Sequence, residues 1–207
     1  QGLCETFAFV IDAARAHRVP KVVLALPASV LYGRPANRDL PVKEGAIEPR
    51  GLRGVVARAA VDACSSVRES DAVEVTALAL APVYGDRQPS DGGVVAAFRS
   101  AAAQGRAPRI TGDGRQTRDF LFVDDAVDAL VRAGERGSGL VINIGTGEQT
   151  SIRDLWTTVG GPGAVAPDHV AARPDELHRF AVSPVRARIH LSWSAWTPLA
   201  DGLAQLR

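Results

Sequence analysis

A chain of 207 residues, 46% hydrophobic and 23% charged, has the make-up of a globular fold of one good-sized domain or two small ones. Its formal net charge of +1 gives no overall field to draw it to nucleic acid or to an anionic membrane. The longest apolar runs, such as 22–27, are too short to span a bilayer as a helix.

The apolar positions Phe7, Val10, Ile11 and Ala14 have helical spacing, so a helix is expected over 5–16. Lys21 to Leu26 reads as a buried strand of a parallel sheet, stopped by Pro27. A proline-containing loop of mixed charge covers 33–51. A helix is expected over 52–69, lined on one side by Val55, Val56, Ala59, Ala60 and Ala63. Glu74 to Leu80 is a second strand, Val83 to Pro89 a polar loop, and Val94 to Ala103 a helix ended by Gly105.

The stretch from Arg109 to Asp125 is the most informative. Gly112-Asp113-Gly114 is turn chemistry, because Gly accepts positive φ and Asp can bond its own backbone. Phe120-Leu121-Phe122-Val123 reads as a strand, and Asp124 as the N-cap of a helix from Ala126 to about Arg132. Arg115 and Arg118 then sit on a turn between two rigid elements, a place where guanidinium donors can match phosphate oxygens in pairs. A solvated basic loop is the plainer reading of the same residues.

Leu140 to Ile144 is a third strand, Gly145-Thr146-Gly147 a turn, and Ser151 the cap of a helix cut short at Gly160-Gly161. Residues 164–182 are irregular or short strand, and helices are expected over 184–191 and 199–206. Strands and helices alternate, which gives an α/β fold with a mostly parallel sheet. Cys4 and Cys64 lie outside any C-x-x-C pair and read as two buried thiols of a cytoplasmic protein, one disulfide being the lesser reading. The first residues carry no basic run, so no signal peptide is expected. His17, His169, His178 and His190 have no metal-ligand spacing, so no metal is expected.

Several segments taken together resemble the NAD-dependent epimerase/dehydratase family, the extended short-chain dehydrogenases, and within it the bacterial UDP-glucose 4-epimerases. They are Lys21-Val22-Val23, Val30-Leu31-Tyr32-Gly33, Val83-Tyr84-Gly85-Asp86-Arg87-Gln88, Gly93 to Phe98, and Gly112 to Asp125. Asn143-Ile144-Gly145-Thr146-Gly147, Thr150-Ser151-Ile152, Arg173-Pro174-Asp175-Glu176-Leu177 and Leu191-Ser192-Trp193 follow in the family's order. The resemblance implies an incomplete Rossmann-type parallel sheet with a smaller C-terminal substrate-binding region. Residues 1–92 would be the latter part of the nucleotide domain and 93–207 mainly the substrate region, with an element returning to the sheet. The Gly-rich turn that holds NAD in the family has no counterpart here, and Gly145-Thr146-Gly147 is given a structural role.

The family chemistry uses a Tyr to take a hydroxyl proton. Free Tyr titrates near ~10, so a Lys one helical turn later must lower its pKa. By the resemblance those positions are Arg53 and Ala57, and the orienting hydroxyl position is Pro27, within Leu26-Pro27-Ala28. Arg53 cannot serve as a base, because guanidinium stays protonated. Ser29 lies near enough to replace the hydroxyl but not the proton acceptor. Tyr32 matches a structural tyrosine, and Pro82 stands where the family has an Asn that contacts the sugar. The nucleotide end is retained. The resemblance makes Arg118 and Arg173 a diphosphate clamp, runs Ile110 and Thr111 past the base, sets Glu176 near the ribose, and starts the pocket-lining helix at Val94. It also implies UDP-sugar or another nucleotide sugar as ligand, NAD as the family cofactor and a homodimer through the 55–63 helix. The expected protein is catalytically degenerate; the alternative is a non-catalytic partner of an active paralogue.

Overall fold

The computed structural model describes residues 2–45, 49, 51–69, 73–89, 91–174 and 176–206. Its centre is a parallel sheet of three strands in the order β1–β2–β3: β1 is Lys21–Pro27, β2 is Glu74–Leu80 and β3 is Val141–Ile144. Lys21 pairs with Glu74 and Pro27 with Leu80, while Ala77 to Leu80 pair with Val141 to Ile144. The last strand therefore enters the sheet long after the first two. Helix α1 (Gly2–Ala16) and helix α2 (Gly51–Glu69) cover one face, and helix α3 (Val123–Glu135) packs on β1 and β2. Alternating strands and covering helices give the Rossmann-type α/β architecture that the sequence implies.

Strand β1 is apolar yet only half-buried, with Ala25 and Pro27 exposed, whereas Val75 to Ala79 of β2 are all buried. The expectation of a fully buried β1 is corrected. Among the described residues β1 is the outer strand of the sheet, so one flank has no neighbour to cover it.

The inward stripe of α2 also differs from expectation. Gly54, Ala57, Ala60, Val61 and Cys64 face the core, while Val55 and Ala59 are exposed. A Cβ at Gly54 would lie 2.9 Å from the Pro49 Cβ, so glycine lets the chain enter the helix close against this position. Phe7 and Ile11 of α1 meet Cys64 and Val75 across the same interface. Cys64 is a free, buried thiol, as expected; the side chain of Cys4 lies outside the described residues.

A second apolar cluster is built from helix α4 (Val94–Ala103), helix α5 (Ile152–Gly160) and three short strands: β4 (Val83–Tyr84), β5 (Arg109–Thr111) and β6 (Leu121–Phe122). Phe98 and Trp156 meet edge to face there, 5.4 Å between ring centres. Strand β5 pairs in parallel with β7 (Asp168–Val170), and β8 (Thr117–Arg118) pairs antiparallel with β9 (Thr150–Ser151). Helices α6 (Val185–Leu191) and α7 (Leu199–Gln205) complete the chain. Ser151 caps α5 by accepting from the Asp154 amide at 3.0 Å, as its sequence position predicts.

Helix α3 starts earlier than the sequence suggests. Its cap is Phe122, so Asp124 and Asp125 fall in the first turn. The reason lies 72 residues away: buried Asp125 accepts from the Thr197 amide and hydroxyl, which holds it inside the helix rather than in front of it. No described helix is long and apolar enough to cross a membrane.

Candidate functional site

The turn before β8 forms as its residues dictate. Gly112 and Gly114 take left-handed φ of 61° and 75°, and Asp113 accepts from the Arg115 amide at 3.0 Å. Arg115 stays outside, exposed and paired with Asp113 at 3.3 Å across the turn. Arg118 turns inward instead. Its Nη1 donates to the Thr117 and Leu177 carbonyls, each at 2.7 Å.

Three consecutive residues bind one distant segment. The Gln116 amide Nε2 donates to Glu176 Oε1 at 3.1 Å, the Thr117 N–H to the His178 carbonyl at 2.8 Å, and Arg118 to Leu177. The Glu176 N–H closes a turn on the Arg173 carbonyl at 3.1 Å. Residues 176–178 are thereby stitched to 116–118, and the Arg173 carbonyl is tied to Glu176. Arg118 and Glu176 share a corner, close enough for Glu176 to raise the Arg118 pKa. Burial outweighs this and lowers that pKa, yet a guanidinium so placed stays charged at neutral pH. With Nη1 committed to carbonyls, Nε and Nη2 remain as the edge that can meet an anion.

The other expected positions fall as follows. Arg173 is exposed and makes no ion pair among the described residues. Ile110 is buried in the second core, so it can face a ligand only with its backbone; Thr111 is half-buried and its carbonyl accepts from Gln116 Nε2 at 2.8 Å. Val94 is the first residue of α4 and leans on the second core. A hollow of about 600 Å³ beside α4 is lined by Arg99, Ser100, Thr158 and Leu203 among others, and by none of the expected site residues.

The C-terminal tips of β1 and β2 are where doubly wound sheets open their ligand crevice. A cavity of about 290 Å³ there is lined by Ala25, Leu26, Pro27, Ser29, Leu80, Ala81, Pro82 and Val83. Ser29 brings the one side-chain hydroxyl among these residues. Arg53 is exposed on the first turn of α2, and Ala57 is 2% exposed inside the main core. Tyr32 is buried and donates to Asn143 Oδ1 at 2.6 Å; burial, then the nearby Glu44, push its phenol pKa upward. This is a structural tyrosine, unsuited to take a proton near neutral pH.

Asp119 was not visible as a key residue in the sequence. It is buried and accepts from the Thr146 amide and hydroxyl, the Gly147 amide and the Val182 amide. Those bonds also decide the fit of a dinucleotide to Gly145-Thr146-Gly147. The amides of Thr146 and Gly147 are spent on Asp119, and the turn leads into β9 rather than a helix, so it does not fit a pyrophosphate. Among the described residues no group of three His, Cys, Asp or Glu is placed to hold a metal.

Comparison with known proteins agrees with this architecture. A UDP-glucose 4-epimerase of Mycolicibacterium smegmatis is 38% identical over 204 residues, covering 94% of this chain and 63% of the relative. The crystal structure of Thermotoga maritima UDP-glucose 4-epimerase with UDP-glucose superposes with a TM-score of 0.89 at 27% identity, covering 95% of this chain and 65% of that one. The UDP-glucuronic acid 4-epimerase of Bacillus cereus, solved with UDP-glucuronic acid and NAD, gives 0.80 at 27% identity, covering 94% and 62%. The chain thus spans a little under two thirds of the length of these relatives. A family profile described as NAD dependent epimerase/dehydratase family matches residues 6–145. This chain belongs to the NAD-dependent epimerase/dehydratase family.

Proposed function

We propose that this protein binds UDP-sugar or another nucleotide sugar in the cytoplasm and does not turn it over. The diphosphate would lie on Arg118 and Arg173, the ribose near Glu176, and the base along the Ile110–Thr111 backbone, with the helix from Val94 as a wall. Residues 1–92 would belong to the nucleotide domain and 93–207 mainly to the substrate region. The observation that supports the reading is the stitch of 116–118 onto 176–178, which brings Arg118 and Glu176 together. The absence of turnover is supported by Pro27, Arg53 and Ala57. Pro27 has no hydroxyl to orient one, Arg53 stays protonated and cannot accept a proton, and Ala57 has no charge with which to lower a tyrosine pKa. NAD comes to the reading through the family alone, and no chemical step is derived from it.

Isothermal titration with UDP and UDP-glucose tests the binding. Saturable uptake is expected, and none at millimolar ligand would sink the reading. A coupled 4-epimerisation assay with added NAD is expected to give no product; measurable turnover would overturn the inactive assignment.

A second reading, an interaction partner of an active paralogue or of a second copy, is favoured by exposed apolar side chains on two helices. Phe9 and Val10 of α1, with Leu52 and Val55 of α2, are exposed apolar side chains on the paired helices. Ala59, Ala60 and Ala63 line a groove of about 360 Å³ between them. Sedimentation of Leu52→Glu/Val55→Glu beside the parent chain tests this: dissociation of a dimer supports it, and identical monomeric profiles remove the homodimer.

A further inference from the structure

Gln116 is only 9% exposed, and its amide nitrogen is bound on two sides. Nε2 donates to the Thr111 carbonyl at 2.8 Å and to Glu176 Oε1 at 3.1 Å, and both partners can only accept. A flipped amide would set its oxygen against a carbonyl and a carboxylate, so the orientation is fixed by chemistry. The backbone is pinned as well: the Gln116 carbonyl accepts from Ile152 N–H at 3.0 Å, and the next amide is bound to His178. Glu176 is consequently held by one oxygen, and its Oε2 has no partner among the described residues. The donor that holds it is neutral. It leaves the carboxylate charge intact, and Arg118 makes no direct ion pair with Glu176.

We infer that Gln116 is a positioning residue that fixes Glu176 as an acceptor for a sugar hydroxyl and so makes the site prefer a ribose over a deoxyribose ligand. The inference rests on the nucleotide-sugar reading given above. A carboxylate oxygen held in place gains a hydrogen bond from a hydroxyl and loses solvation without return when that hydroxyl is missing. A carboxylate released from Gln116 can turn back to water and loses the power to tell the two ligands apart.

The test measures affinities for UDP and 2′-deoxy-UDP by titration calorimetry, on the parent chain, Gln116→Leu and Glu176→Gln, with thermal unfolding of each. The parent chain is expected to prefer UDP about tenfold, the scale of one hydrogen bond to a charged group. Gln116→Leu is expected to bring the ratio close to one, mainly by weakening UDP and hardly touching 2′-deoxy-UDP. Glu176→Gln should bring the ratio down equally with Gln116 in place, which keeps the test open if Gln116→Leu fails to fold. A Gln116→Leu chain that folds and weakens both ligands alike, with the ratio kept, would reduce Gln116 to a structural brace and overturn the inference. So would a folded Glu176→Gln chain that keeps the ratio. A parent chain that binds both ligands equally overturns it too, while leaving the nucleotide reading in place. A parent chain that binds neither overturns both.

Discussion

Arg118 is fastened to the Leu177 carbonyl at 2.7 Å across 59 positions of sequence. This bond both orients the guanidinium and closes the segment that carries Arg173 and Glu176. Arg118→Ala should therefore weaken UDP binding about 100-fold, and Arg118→Lys about tenfold, since an ammonium keeps the charge but lacks the planar fork. Titration calorimetry reads both. Parent-like affinity in Arg118→Ala would take this arginine out of the site.

Asp119 gathers three backbone amides and one hydroxyl. Asp119→Asn places an NH₂ against some of these donors and orphans them, at about 1–3 kcal/mol each. A drop of several degrees in Tm is expected in thermal unfolding, with the larger loss in Asp119→Ala. An unchanged Tm in both would show that the carboxylate does not brace this turn.

Restoring the family's pair one residue at a time should give unequal results. Arg53 is exposed, so Arg53→Tyr is expected to leave stability within about 0.5 kcal/mol. Ala57 is packed in the core, and Ala57→Lys must place a long charged chain there, with a loss of about 2–4 kcal/mol in urea unfolding. Equal stabilities would mean that α2 can roll and bring position 57 to the cavity at the tips of β1 and β2.

Burial pushes the Cys64 thiol up to about 11 from 9.0. The neutral form is the one that folds, and the folded pKa lies above the unfolded one. The stabilisation is therefore complete below pH 9 and is lost as pH rises toward 11, when the unfolded thiol ionises first. Tyr84, pushed up to about 12 from 10.0 by burial and by Asp125, extends the loss to higher pH. Urea midpoints should fall steadily from pH 8.5 to 10.5, and Cys64→Ala should flatten the first part of that fall. A parallel fall in Cys64→Ala would exclude the thiol as its source.

Much of this architecture was legible locally. The helix over Val94–Ala103 has the bounds that its apolar spacing and Gly105 predict, and the glycines of the 112–114 turn take the positive φ their identity permits. What stayed hidden depends on partners far along the chain. The early start of α3 needs Thr197, the pairing of β5 needs residues 168–170, and the orientation of Gln116 needs Glu176. The stripe of α2 lies one step from the apolar pattern: Gly54, Ala57 and Cys64 face inward, while Val55, the larger apolar residue, is exposed.

Arg118 and Asp119 are neighbours in an extended segment, and neighbours in such a segment point to opposite sides. One reaches the 173–178 segment, and the other holds the turn at Thr146 and Gly147 from within. With the diphosphate on Arg118 as proposed, ligand affinity and fold integrity would be written into adjacent codons yet borne by opposite sides of one segment. A lineage can alter what the outer side recognises, or lose it altogether, while the inner side keeps the protein folded and available for a new use.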